Sequence, residues 1–558
     1  MTGASGIAGR RLRRTVALLI AAVALASCAE GEEPAEQPEA GDDAPGAEPD
    51  TARAARLRVA VPVDAGPVNI FGQHEEWLTE LVYDKLLAPS PYADDPQPWL
   101  AESVSEVDPS TWEVTVRADV AWHDGEALTA ADVAFTAAYF REAPTGRWTH
   151  HVDEVPDFTA EVVDDRTVRL ECAYPCPDLG PVTLADLPIL PEHVWRDVDE
   201  PQEREALPVG TGPYELVDYD AASGYRFEAN EGFFAGPPTV DELVMPVIAD
   251  ASTTFAALRS GELDAAARPL SPELLDDFRA DDALGVIATA PLSFPELRLN
   301  YEQEPFDSGD FRRAVSLAID RDELLESVML GQGRPSDQGY PHPDSPWTNP
   351  DLSTPFDPDR AKALLDGLDV VDRSGDGVRQ RPDGAPIAFD LNVNGSEPTD
   401  VRAGELLVEH LGEVGLDVSL VQLDAGSIGD LFSSRDFSAY IATIGAHGVA
   451  DPTQFIMSHR SGYAWDWPRL AYPEWEELWE RWQAADAVEE RAAVSFEMQE
   501  LFNEQPTLIP LYYPDEHWAF DPDAYDGWVE SRGYGIVHKW SLLPRDVAEG
   551  ANAVVSPR

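Results

Sequence analysis

The chain is short of cysteine and of positive charge. Only three cysteines occur in 558 residues, at positions 28, 172 and 176. That excludes the disulfide framework of a small secreted scaffold, which a chain of this length does not need. Arginine and lysine together number 39 against 104 aspartates and glutamates, a formal charge of −65. A surface of that sign repels nucleic acid and anionic headgroups, so binding through a phosphate backbone is excluded. Beyond the first 28 residues no run approaches 18 continuous apolar residues, so the body offers no membrane span. His-Glu-x-x-His and Gly-x-Ser-x-Gly are missing as well, and the body's only cysteines form one short pair. Paired carboxylates arise by chance in so acidic a chain, so a secreted glycosidase stays open as an alternative to a non-enzyme.

What is there begins with a leader. Arg10, Arg11, Arg13 and Arg14 supply a positive start, Val16 to Ala24 an apolar stretch too short to span a bilayer, and Leu25-Ala26-Ser27-Cys28 a small-residue cleavage site. The last four look like a bacterial lipobox. They imply a signal peptide over residues 1–27 and a lipid on Cys28 that holds the protein at the outer face of the cell membrane. Residues 29–52 then carry nine acidic residues and no basic one. Such a stretch cannot bury enough apolar surface to offset its ordering entropy, so 28–54 is expected to be a disordered tether.

The remaining length exceeds one hydrophobic core and predicts two or three domains. Without the leader's four arginines the charge is −69. An acidic shell adapted to high salt explains charge spread along the whole chain, and a site that concentrates cations is the alternative. Cys172 and Cys176 lie in Glu-Cys-Ala-Tyr-Pro-Cys-Pro, where a disulfide is expected in an oxidising compartment. A free thiol pair and a metal site are the other readings, although no further metal ligands lie nearby.

Along the body, Leu57-Arg-Val-Ala-Val reads as a buried strand and Glu75 to Leu87 as an amphipathic helix. Residues 111–117 alternate as a strand and lead to Trp122-His-Asp-Gly, with a hairpin signal at Asp124-Gly125. Thr129 and Asp132 have the character of a helix N-cap and N3 pair. Further on come Gly210-Thr-Gly-Pro-Tyr-Glu-Leu and Asn300 with Pro305-Phe-Asp. Then follow Phe311-Arg-Arg-Ala-Val-Ser-Leu-Ala-Ile-Asp-Arg, read as one helix to Leu330, a strand Ala439 to Ile444 before Asp451-Pro452, and Glu490-Arg491 opening a helix to Pro506.

In this order the segments resemble the family 5 extracytoplasmic solute-binding proteins, the peptide-type receptors of ABC importers. The resemblance covers most of residues 56–530. It implies an α/β, two-lobed, periplasmic-binding-protein-like (type II) fold with an extra domain inserted in lobe one. Mapped here, lobe one would be 55–85, 205–298 and 515–558, the inserted domain 86–204, and lobe two 299–514. The implied function is capture of a small solute, peptide or similar, between the lobes and delivery to permease subunits. Presentation of the closed form to a sensor is an alternative. The protein is expected to be a monomer with no cofactor and no nucleic-acid partner. The motif residues supply turns and packing, so they identify the fold without touching solute.

Peptide-binding members carry a Gly-Trp segment before the Asp-Pro, with an aspartate that pairs with the peptide's amino terminus. Here the stretch is Gly445-Ala446-His447-Gly448-Val449-Ala450-Asp451-Pro452, and no aspartate stands at the amine position. Burying an ammonium without a counter-charge is costly, so sugars and metal chelates stay open beside peptides. The candidate solute-binding residues are Asn69 and Phe71 after the first strand, His447 and Asp451 in that loop, and Trp465 and Trp467 downstream of it. Tyr512 and Tyr513 complete the set, of which one is expected to face the cleft and the other to point away. Trp475, Trp479 and Trp482 have the spacing of a packed helix stripe. Asp372-Arg-Ser-Gly-Asp-Gly, with Asp383 at the twelfth position, is read as a turn in preference to a calcium loop.

Overall fold

The computed structural model describes residues 53–545 apart from 73–75, 93–94, 144–147, 149, 154–156, 290, 337–340, 346, 445–454, 457–472 and 532. The described residues build two large sheets, a four-stranded one and two two-stranded ribbons. A seven-stranded sheet runs in the order Gly285–Thr289, Glu516–Phe520, Ala265–Ala266, Leu57–Ala60, Glu242–Met245, Gly224–Ala229, Tyr214–Asp220. Leu57–Ala60 lies parallel to both of its neighbours, and Leu57 and Val59 are fully buried. A parallel strand paired on both edges and covered on both faces calls for this short apolar run.

A five-stranded sheet runs Asp417–Leu423, Ala388–Asn394, Ala439–Ile444, Phe294–Leu299, Leu508–Pro510. The chain passes from the first sheet to the second between the strands ending at Thr289 and beginning at Phe294, and returns between Pro510 and Glu516. A four-stranded antiparallel sheet, Ala101–Asp108, Thr111–Val116, Thr167–Cys172 and Phe158–Val162, stands between the first and later strands of the seven-stranded sheet in sequence. The architecture is therefore two-lobed α/β, with a further sheet inserted in the first lobe.

The sequence motifs meet in space. His123 of Trp122-His-Asp-Gly donates from Nε2 to the carbonyl of Gly212 at 3.0 Å, and its Nδ1 accepts from the N–H of Gly210 at 3.3 Å. Burial pushes its pKa down, in keeping with a neutral imidazole that is donor on one side and acceptor on the other. A Cβ on Gly210 would fall 1.8 Å from the Val82 carbonyl oxygen, and one on Gly212 would fall 2.4 Å from that of Leu81. Only glycine admits that approach.

Two expected helices differ. The first ends at Val82, not Leu87, because the Val82 carbonyl accepts from Gly212 N–H at 2.8 Å and the chain then enters the strand Leu87–Ala88. The helix expected from Phe311 to Leu330 is two, Gly309–Leu317 and Arg321–Val328. Asp320 caps the second by accepting from Glu323 N–H at 3.0 Å, while the buried Arg321 donates to the Ser316 carbonyl at 3.1 Å. A strong cap overrides continuous periodicity. Phe311, Ala314, Val315, Ala318, Leu325 and Val328 are all buried, as are Trp475, Trp479 and Trp482 on Pro473–Ala484. At the other expected cap, the Asp132 carboxylate accepts from Thr129 N–H at 2.8 Å and from Glu192 N–H at 3.0 Å, a second bond that gives this aspartate its place. Asp372 accepts from the N–H groups of Gly375 and Gly377 at 2.6 and 3.0 Å, which makes its segment an aspartate-anchored turn.

Two of the chain's three lysines, Lys85 and Lys539, are buried. Lys85 reaches Glu80 at 2.7 Å and Asp186 at 3.4 Å, and Lys539 reaches Asp84 at 3.0 Å. Asp186 also meets His151 at 2.9 Å. This network pins the inserted domain to the first lobe. No helix among the described residues is long and apolar enough to cross a membrane.

Candidate functional site

A cleft of about 440 Å³ opens between segments that leave the two large sheets. From the seven-stranded side come residues 267–273, Asp515, Glu516, Trp518 and the turn Gly533-Tyr534-Gly535; from the five-stranded side come Phe294, residues 397–400, Thr443 and Tyr512. Seven prolines line it among the described residues, including Pro62, Pro269, Pro295 and Pro514. Proline fixes φ and brings no backbone N–H to satisfy, so these walls are stiff before any solute arrives.

The lining is unevenly charged. Among the described residues it holds the carboxylates of Glu273, Glu397, Asp400, Asp515 and Glu516, and one cation, Arg268. Arg268 is already engaged, donating to the Ala249 carbonyl at 2.9 Å and to Glu397 at 3.1 Å. Burial, with repulsion from Glu397, pushes the Asp400 carboxyl up to about 7. Burial does the same to Glu516, to about 7, against a partial offset from the Trp518 indole. Among the described lining residues no cation beyond Arg268 compensates carboxylates raised in this way, and a positive group entering the cleft would supply one.

The aromatic lining is set by backbone geometry. Gly533 and Gly535 both take positive φ, +81° and +67°. A Cβ on Gly535 would fall 2.2 Å from the Trp518 ring, so glycine lets the turn lie flat on the indole. Between the two glycines, Tyr534 accepts from Lys85 Nζ at 3.1 Å. Trp518 Nε1 donates to Thr289 Oγ1 at 3.1 Å, which fixes the indole.

The candidate residues divide. Tyr512 lines the cleft, whereas Tyr513 turns away, with its ring 5.3 Å from Phe294 and 4.9 Å from His342. Asn69 and Phe71 do not line it. The Asn69 amide donates to the carbonyls of Pro201, Gln202 and Arg204, at 2.8, 3.3 and 3.1 Å. Phe71 sits among Tyr139, Phe140 and Trp195, with ring centroids 4.9 to 5.5 Å away. His447, Asp451, Trp465, Trp467 and Cys28 lie outside the described residues. Cys172 and Cys176 are bonded to each other and do not line the cleft. Sequence reasoning missed Arg268, Asp400, Glu516 and Tyr534. Only Tyr534 left a signal, its pair of flanking glycines; an arginine or an acid in so acidic a chain carries none.

The description of bacterial extracellular solute-binding proteins, family 5 (middle region), matches residues 95–467. The chain belongs to this family. The oligopeptide-binding protein AppA of Bacillus subtilis is 25% identical over 468 residues, 79% of this chain and 83% of that one. The structure of that AppA in complex with a nonapeptide superposes with a TM-score of 0.77 at 21% identity, covering 89% of this chain and 100% of the other. NikZ of Campylobacter jejuni, in complex with Ni(L-His), superposes with a TM-score of 0.76 at 21% identity over 89% of this chain and 99% of its own. This family 5 protein is thus an extracytoplasmic solute-binding receptor of the ABC-importer type. The relatives are binding proteins, and nothing in the match supports the hydrolase alternative.

Proposed function

We propose that the protein is held at the outer face of the cell membrane by a lipid on Cys28 and captures a small, positively charged solute for an ABC importer. A short peptide with a free amino terminus or basic side chains is the favoured class. One observation carries the reading of charge: five carboxylates line a 440 Å³ cleft whose only described cation, Arg268, is engaged with Glu397. The volume falls in the range of small-molecule sites, about 300–1,000 Å³. Asp400 and Glu516 would supply the counter-charge that is missing where peptide-binding relatives keep an aspartate. Lobe one would consist of 55–85, 205–293 and 515–558, the insert of 86–204 and lobe two of 294–514, the expected boundary at 298 moving forward because Phe294–Leu299 pairs within the five-stranded sheet. Capture would then follow from contacts to both lobes, which stabilise the closed form.

Native mass spectrometry of the purified mature protein tests this, followed by thermal-shift titration with lysine-containing dipeptides, neutral sugars and a nickel–histidine chelate. Stabilisation by the cationic peptides, with no turnover, is expected. Stabilisation by the neutral sugar alone overturns the charge reading, and product formation overturns the binding-protein reading.

A further inference from the structure

The disulfide loop does not line the cleft, yet it carries the inserted domain's sheet onto helices that pack with the five-stranded sheet. On its own side it is rigidly held. Cys172 N–H donates to Ser110 O at 2.9 Å, Cys176 N–H to Pro109 O at 2.8 Å, and Trp112 Nε1 to Cys176 O at 3.2 Å. The bond between Cys172 and Cys176 closes Tyr174 and Pro175 into a knuckle that projects from the four-stranded sheet.

Across from it stand the helices Pro473–Ala484 and Val488–Glu504. They belong with the five-stranded sheet: Gln499 Nε2 donates to Trp347 O at 2.6 Å, the Pro506 carbonyl accepts from Arg312 at 2.6 Å, and Phe294 shares their apolar cluster. Arg491 on the second helix is fully buried and donates to the Asp178 carboxylate and the Pro175 carbonyl of the knuckle. Its guanidinium lies 5.1 Å from the Trp482 ring centroid and 5.8 Å from that of Tyr174. The Tyr174 ring meets Trp479 edge-on at 6.2 Å, and Val182 joins the same cluster.

We propose that this knuckle is a clasp: Tyr174, Pro175 and Asp178 of the inserted domain dock on Arg491, Trp479 and Trp482 and hold lobe two against lobe one independently of the solute. Opening the lobes would part a buried ion pair and expose two indole faces, so the contact favours the closed arrangement. A receptor's apparent affinity scales with the fraction of molecules in the binding-competent state. The clasp therefore sets affinity for every solute alike, without touching any. The inference rests on the two-lobed fold and not on the charge of the solute.

Small-angle scattering of the full mature chain without added solute tests it, on the wild type, Asp178→Asn, Arg491→Met and the pair combined. Asp178→Asn keeps the side-chain shape and guards against simple misfolding. The expected result is a larger radius of gyration for each variant, with amide exchange in residues 172–183 and 488–504 faster by roughly tenfold or more. The double variant should open no further than Arg491→Met alone, because both changes break one contact. Wild-type radius of gyration in Asp178→Asn and Arg491→Met, even with a lower melting temperature, overturns the clasp and makes the contact a fixed joint.

Discussion

Arg268 donates to Ala249 on its own side of the cleft and to Glu397 on the other at 3.1 Å, so one guanidinium ties the two walls together. Arg268 is 9% exposed and Glu397 is 39% exposed, so solvent screens the pair from one side only. Exposed ion pairs contribute about 0–1 kcal/mol, and this one falls at the upper end because its arginine is buried. Glu397→Gln is expected to leave the fold intact and speed amide exchange in residues 267–273 and 398–402. Unchanged exchange in both segments would show that the two walls meet without it.

The cleft carboxylates predict a pH dependence whose sign follows from linkage. Asp400 ionises near 3.8 when unperturbed and near 7 in the folded protein; Glu516 goes from 4.5 to about 7. Between those values the folded state holds more protons than the unfolded chain. These two groups therefore favour folding most below about pH 4, and their contribution is lost as pH rises through about 7. Glu397 raises the Asp400 value further, while Tyr512 and Arg268 line the same space. Asp400→Asn should melt higher than wild type at pH 8 and equally at pH 4. A bound cation favours the ionised carboxylates, so affinity for a basic peptide should rise with pH through about 7 and rise less in Asp400→Asn. Flat affinity between pH 5 and 8 counts against these two acids as the counter-charge.

Lys85 lies between Glu80 and Asp186 and also holds Tyr534 in the cleft wall. Removing one partner of a buried ionic group typically costs about 3–5 kcal/mol, because the remaining charge stays buried. Lys85→Met should lower the denaturant midpoint by a corresponding amount. Tyr534→Phe, which keeps the ring, should cost little stability, so a large loss of solute affinity in it would mark the phenol as a solute contact.

The proposed anchor makes membrane retention a test of Cys28. Cys28→Ser is expected to release the protein into the soluble fraction with its fold unchanged, read by fractionation and a melting curve. Retention of the variant at wild-type level would remove the lipid anchor from the proposal.

Local chemistry with a fixed spacing was legible in the chain itself. The apolar run Leu57-Arg-Val-Ala-Val, the strand Ala439–Ile444 and the tryptophan stripe were legible because each depends on periodicity encoded by its neighbours. The ordered motifs around His123, Gly210 and Phe311 implied a two-lobed solute receptor through their resemblance to the family. Periodicity also misled, in the helix that Asp320 divides. The cleft was another matter. Arg268 and Glu397 are 129 positions apart, Asp400 and Glu516 lie on different lobes, and Arg491 finds Asp178 across 313 positions. No local pattern marks one acid among 104, and only the folding of distant segments against each other decides which carboxylates lose their water and which arginines meet them.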